Sequence, residues 1–300
     1  MNAIRRIFGV AAGEMAEAFR SRRFLLVLLL FFSASAVSMY GSTSFLSHLE
    51  KNAAKVLGLP EGDGKGTVTK AVWKSDVFRR VVKSAVDDDP GLYAGLVGRN
   101  PLALLYAFFT FLAVPVLSLL AGANRIADDV KSGTVRFMLV RVRRAEWVLG
   151  KYIGLVVLLL PGLSGGALAA YAMACARMPD AAAAALLPEM LVFSGKSWIL
   201  ALSWTGVALG VSQAVRSGVR ATLLGIVVIT IIGAAPWLLG LLARWHGAFA
   251  HLDVICPATF KGALYSASVP RFAFASVMLA VQGFFYLSCG YFVFSRRDAR

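Results

Sequence analysis

The sequence predicts an all-α polytopic membrane protein with six transmembrane helices, an N-terminal interfacial helix, a cytoplasmic amphipathic helix between spans two and three, and an extracytoplasmic insert between spans one and two. Three observations predict it. Of the 300 residues, 58% are hydrophobic and only 16% charged, against roughly 25% charged in a soluble domain. The apolar residues are gathered into runs of about 17–25, long enough to cross a bilayer core. The 31 lysines and arginines, against 16 acidic residues, flank those runs. Topology and lipid headgroups therefore account for the net charge of +15, and nucleic acid is not an expected partner.

Residues 1–23 place Ile4, Ile7, Phe8, Ala11, Met15, Ala18 and Phe19 on one helical face, opposite Arg5, Arg6, Glu14, Glu17 and Arg20; such a helix lies in the membrane interface. Ser21-Arg22-Arg23 then anchors a first span over residues 24–40. A signal peptide cleaved near Ala34-Ser35-Ala36 is the competing reading, disfavoured by the amphipathic, acid-containing leader and by the spans that follow. Residues 41–100 form the insert. It has one helix-like patch at Phe45, Leu49, Ala53, Val56 and Leu57, a second at Val77, Phe78, Val81, Val82 and Ala85, and a turn-rich loop over residues 58–66 between them. Neither patch supplies an independent core, so the insert must pack on the spans, on a second copy or on another subunit. Asp87, Asp88 and Asp89, followed by Pro90-Gly91, read as a solvated helix end in preference to a cation site, because adjacent helical carboxylates do not converge on one ion.

Span two covers residues 101–122 and contains Pro115; a cytoplasmic segment follows over 123–151; span three covers 152–174 and contains Pro161. Spans four (197–215) and five (221–243) are joined only by residues 216–220, which makes them an antiparallel hairpin. Residues 244–273 form an outer loop with room for re-entrant helices, and span six covers 274–295, ahead of Arg296, Arg297 and Arg300. With the N-terminus inside, seventeen basic residues fall on cytoplasmic segments and five on the short outer loops; the long insert is discounted, since loops of that length translocate regardless of charge. Both termini are then cytoplasmic, and the chain is a multi-pass protein of the cell membrane.

Several chemistries are excluded. Cys175, Cys256 and Cys289 are an odd count without CxxC spacing, so neither a disulfide framework nor a zinc site is expected. The predicted spans lack acidic and histidine residues, which disfavours a proton- or sodium-driven carrier; Gln213 and Gln282 read as interhelical hydrogen-bonding groups, and Gly206-x-x-x-Gly210 as a close helix contact. His48, His246 and His251 lie outside the spans, and no nucleophile–base pair suggests a membrane enzyme. Gly64-Lys65-Gly66-Thr67 and Gly195-Lys196-Ser197 imitate phosphate loops, but Leu59 and Met190 stand where the first glycine is required. The chain therefore carries no ATPase, cofactor or metal site of its own.

The most informative stretch is residues 128–151. After Asp128 and Asp129, Gly133-Thr134 punctuates the chain; Val135, Met138, Leu139 and Val142 then recur at i, i+3, i+4 and i+7, with Arg136, Arg141, Arg143 and Arg144 on the other side, before Glu146 and Lys151 lead into span three. Two readings compete: a basic loop lying on anionic headgroups, and a docking helix for a soluble partner.

This order of elements resembles the permease subunits of type-2 exporters of the ATP-binding cassette class. The match rests on Asp128-Asp129, Gly133-Thr134, the aliphatic run 135–142, Arg144-Ala145-Glu146 and Gly150-Lys151, and more loosely on Asp253-Val254-Ile255-Cys256-Pro257 with Phe260 and Gly262. It departs where Val140-Arg141-Val142 replaces a proline often found before the arginine. The resemblance implies a coupling helix that contacts an ATPase through Asp128, Asp129, Gly133, Thr134, Val135, Arg136, Met138, Leu139, Arg143, Arg144, Glu146 and Lys151. It further implies two copies of that ATPase subunit, which bind the ATP and Mg, and a second permease, identical or related. Pro115, Pro161 and Pro236 offer places for helices to bend. The alternative function is a membrane scaffold or assembly factor for an envelope complex, without a transport cycle.

Overall fold

The computed structural model describes residues 3–57, 76–86, 89–180, 182, 185–245 and 247–297. In chain order the helices are α1 (Ala3–Arg20), α2 (Arg22–Leu57), α3 (Asp76–Ala85), α4 (Pro90–Val97), α5 (Pro101–Gly122), α6 (Arg125–Ser132), α7 (Thr134–Leu139), α8 (Arg144–Arg177), α9 (Leu186–Ala214), α10 (Gly218–Ala243), α11 (Lys261–Tyr265) and α12 (Val269–Arg297). Two 3-10 segments, Gly247–Ile255 and Pro257–Phe260, connect α10 to α11. Five helical stretches among the described residues are long and apolar enough to cross a membrane: Arg22–Asn52, Pro101–Ser132, Arg144–Arg177, Gly218–Ala243 and Val269–Arg296.

The helix at the expected fourth span, α9, is not among those five. Its position explains its composition. It packs against α5, α8, α10 and α12, and Ser194, Ser197, Ser203, Thr205, Ser212 and Gln213 are all buried along it. The innermost helix of a bundle faces other helices, where some of its polar groups meet partners: Ser203 Oγ donates to Gln282 Oε1 at 3.2 Å, and Trp198 Nε1 donates to the Val156 carbonyl at 2.7 Å, whereas Ser197 Oγ, Thr205 Oγ1 and the Gln213 amide have no hydrogen-bond partner among the described residues. Glycines set its closest contact. A Cβ on Gly206 would overlap the Gly283 carbonyl, and one on Gly290 would overlap Gly210, so the Gly206-x-x-x-Gly210 face brings α9 and α12 backbone to backbone. α9 also begins eleven residues earlier than the expected span, at Leu186. Glu189 and Lys196 are therefore helical: Glu189 Oε2 accepts from the Asn100 N–H at 2.9 Å, and the Lys196 ammonium lies 5.5 Å from the Phe193 ring.

α2 also departs from expectation, running unbroken past residue 40 to Leu57. Its 36 residues are about 54 Å long at 1.5 Å per residue, well beyond a core of about 30 Å. The continuity has a visible basis: Phe24, Phe31, Ser35, Met39, Thr43 and Glu50 are buried, a stripe at spacings of seven and four that passes Gly41 in phase. The first helical patch of the insert is thus a prolongation of α2. The loop at residues 58–66 lies outside the described residues, as do Asp87 and Asp88. Asp89 instead caps α4, accepting from the Gly91 N–H at 2.9 Å and the Leu92 N–H at 3.3 Å, and it forms an ion pair with Arg271.

The chain between α10 and α12 turns inward. Gln282 Nε2 donates to the Val254 carbonyl at 2.6 Å and Tyr286 Oη to the Ile255 carbonyl at 2.7 Å. Gln282 stands thirteen residues after the start of α12, about 20 Å along it, so residues 254–255 reach well down the bundle. The chain then returns through buried Cys256, Phe260 and Leu264 to α11, which packs under α4.

Candidate functional site

The stretch 123–151 forms an elbow at one end of the bundle. α6 opens without a side-chain cap from Asn124; Ser212, from the last turn of α9, supplies it, its Oγ accepting from the Ile126 N–H at 3.1 Å and the Ala127 N–H at 3.0 Å. Gly133 ends α6 at φ 77°, a left-handed conformation that glycine adopts without strain, and this turn redirects the chain into α7. The six residues of α7 end sooner than the expected stripe. The Arg141 and Val142 N–H groups fold back on the Met138 carbonyl at 3.0 and 3.1 Å, leaving Val142 in the turn. Arg143 then adopts extended geometry, and its N–H donates to Glu146 Oε2 at 3.1 Å to cap α8.

This short helix presents two unlike faces. Val135 is buried, with Leu139 and Val142 half-buried against the main core. Outward stand Thr134, Arg136, Met138, Arg141 and Arg143, with Phe137 79% and Val140 85% exposed. Met138, expected on the inner face, is 46% exposed, because the early turn ends the helix before its side is covered. Arg144 is half-exposed and opens α8.

The acidic and distal members of the predicted set turn inward. Glu146 is buried, and its Oε1 accepts from Arg6 Nη2 at 2.9 Å. Lys151, 4% exposed, pairs with Glu14 of α1 and with Asp129 Oδ2 at 2.6 Å; Arg125 Nη1 lies 3.8 Å from Glu14 Oε2. Arg125, Lys151, Glu14 and Asp129 make a neutral set of two cations and two carboxylates. Completeness matters here, since a buried charge is tolerable only when matched. Asp128, more exposed, lies 3.4 Å from Arg23 at the start of α2. Glu146 and Lys151 are thus buried, Asp129 is half-buried, and together they tie the elbow to α1, while the residues around Phe137 are exposed.

The α1 helix is the other half of this arrangement. It packs on α8 so closely that a Cβ on Gly150 or Gly154 would press on Val10 or on Glu14 and the Ala11 backbone. That contact carries Arg6 and Glu14 to their partners. Sequence reasoning assigned α1 to the interface by its apolar face, and Ile4, Phe8 and Phe19 are indeed exposed. It missed Arg6, Glu14, Arg125 and Ser212 as anchors of the elbow, and it missed Phe137 and Val140 as exposed residues. For Phe137 and Val140 a signal existed: apolar residues on the arginine-bearing side of an amphipathic helix mark a contact surface. For Glu14 the signal was weak, a carboxylate midway along a helix with no basic residue four positions on.

Long apolar helices around a polar innermost one, a segment dipping into the bundle and a braced surface elbow define a polytopic α-helical membrane protein. The sequence profile described as ABC-2 family transporter protein matches residues 9–250. The chain belongs to that family and is a permease subunit of an ABC transporter. The matched stretch includes α1 from residue 9 onward, the elbow and α10. Among curated proteins, none matches the chain.

Proposed function

We propose that the chain is the membrane-spanning subunit of an ATP-driven exporter, coupled to a separate ATPase through the elbow. Two ATPase subunits hold the ATP and Mg, and a second permease, identical or related, completes the assembly. α9, about 44 Å long for its 29 residues, is the sixth span. The seventeen-to-five distribution of basic residues supports a cytoplasmic elbow and cytoplasmic termini in the cell membrane.

The observation that carries this reading is the union of an exposed apolar and basic prow with an internally braced base. Phe137 and Val140, ringed by Arg136, Arg141 and Arg143, have the composition of a protein contact with a hydrophobic centre and polar rim. Behind them, the ion pairs to α1, the Ser212 cap on α6 and the direct run of α8 into the bundle make the elbow move as one body with the helices it joins. A displacement imposed on α7 by ATPase closure is then passed to α5 and α8 as a rigid shift.

The test is co-purification with a co-expressed ATPase subunit of the ATP-binding cassette class. Phe137→Ala, and Arg143→Glu combined with Arg144→Glu, are expected to weaken association about tenfold or more, the loss typical of an interface anchor, and to abolish ATPase stimulation without altering thermal stability. Unchanged association and stimulation would refute the coupling role. Vectorial movement of cargo in vesicles containing both subunits separates an exporter from a scaffold.

A further inference from the structure

Two cavities meet at the elbow end of α2. The first, about 400 Å³, opens between the α1–α2 junction and the α5–α6 junction. Its floor is the neutral set described above, and its lining includes Glu17, Arg22 and Arg23. The second, about 260 Å³, is a groove between α2 and α5 with a wholly apolar lining that includes Phe31, Phe109 and Leu112. Val27 and Leu120 line both. The two therefore adjoin, polar at the end of the bundle and apolar along its side.

We infer that this site holds a single glycerophospholipid of the adjoining leaflet, a phosphatidylethanolamine, with its headgroup in the polar cavity and one acyl chain in the groove. Dimensions support a lipid. From Leu120 to Phe109 the groove follows eleven residues of α5, about 16 Å, which matches one leaflet of a core about 30 Å thick. The polar cavity lies where headgroups lie, beside a helix whose exposed Ile4, Phe8 and Phe19 suit the interface.

Charge selects the headgroup. The inner cations Arg125 and Lys151 are matched by Glu14 and Asp129, and Arg23 by Asp128. Among the described residues this leaves Arg22 and Glu17, both exposed, as the lining charges without an ion pair. One cation and one carboxylate complement a zwitterion: Arg22 takes the phosphate, and Glu17 accepts hydrogen bonds from the primary ammonium. A net-anionic headgroup gains nothing from a lining with as many carboxylates as cations, and a quaternary ammonium has no N–H to give Glu17. This inference rests on the membrane character of the helices and is independent of the ATPase reading.

Native mass spectrometry of the delipidated, full-length protein tests it, with phosphatidylethanolamine, phosphatidylcholine and phosphatidylglycerol of identical acyl chains titrated separately. Phosphatidylethanolamine is expected to bind about tenfold more tightly than the other two, the worth of one charge-assisted contact. Glu17→Gln should remove its advantage over phosphatidylcholine, and Arg22→Gln should weaken both. Ala113→Trp, which fills the groove, should lower occupancy by all three, whereas Val277→Trp on the outer face of α12 should change nothing. Equal binding of the three lipids, a preference for phosphatidylglycerol, or occupancy insensitive to Glu17→Gln and Arg22→Gln overturns the inference. The two rim variants lie on exposed positions, so the test stands even where the tryptophan variant fails to fold.

Discussion

Replacing Lys151 with methionine keeps an unbranched side chain one heavy atom shorter and deletes one charge from the neutral set that braces the elbow. Lys151 is 4% exposed and serves two carboxylates, Asp129 at 2.6 Å and Glu14. Breaking a buried pair by removing one partner costs about 3–5 kcal/mol. The lower end applies here, about 3 kcal/mol, because Glu14 keeps Arg125 at 3.8 Å and the Asp129 side chain retains some solvent contact. The cost falls on the uncompensated carboxylates, so Glu14→Gln in the same chain should recover part of it. Equilibrium unfolding in mixed detergent micelles, run on both single variants and the double, measures the coupling, expected to be at least about 1.5 kcal/mol. Destabilisation below about 0.5 kcal/mol for Lys151→Met, or strict additivity of the two substitutions, would refute the view that α1 is tied to the elbow through charge.

Three further outcomes follow from the geometry. Gly133→Ala forces a Cβ into a left-handed conformation and should destabilise the α6–α7 turn by about 1–2 kcal/mol; open space surrounds the residue, so Gly133→Asn should be better tolerated, and hydrogen exchange across residues 125–142 reads the difference. Gly206→Leu drives a side chain into the Gly283 backbone and should abolish accumulation of folded protein, whereas Gly240→Leu, with nothing within 4 Å, should not; fluorescence-detected size exclusion distinguishes them. The Asp89 carboxyl is held below its ordinary value first by the hydrogen bond from Arg271, then by the N–H groups of Leu92 and Gly91, against an opposing effect of burial. A depressed value means that its stabilisation of α4 is present above an ordinary pKa of about 4 and is lost as pH falls through the lowered one. Exchange of the Gly91 and Leu92 amides, corrected for intrinsic rates, should therefore accelerate only under strongly acidic conditions, and Asp89→Ala should show that acceleration at neutral pH.

Much of the architecture was legible because lipid imposes simple demands. An apolar run of sufficient length has to be helical where no water can satisfy its backbone, and α5 and α10 begin and end close to where Pro101, Gly122 and Ala243 suggested. Legibility failed where burial among helices replaced burial in lipid. α9 was expected to begin at residue 197, with Lys196 in an outer loop; in the bundle Glu189 has the Asn100 N–H and Lys196 has aromatic rings. α2 was expected to stop at residue 40 because hydropathy falls there, although its buried stripe continues.

The elbow was found from its sequence, but its two faces were not separated. Glu146 and Lys151 read as charged residues beside a docking helix; that they point inward depends on Arg6 and Glu14, 140 and 137 residues away. Order, length and charge asymmetry along the chain fix which segments must be helices and where the basic elbow falls, because those follow from the local cost of exposing backbone and charge to hydrocarbon. Which charges of the elbow are locked and which are presented was decided only when α1 packed onto Gly150 and Gly154, since matching a buried charge is a property of neighbours brought together in space.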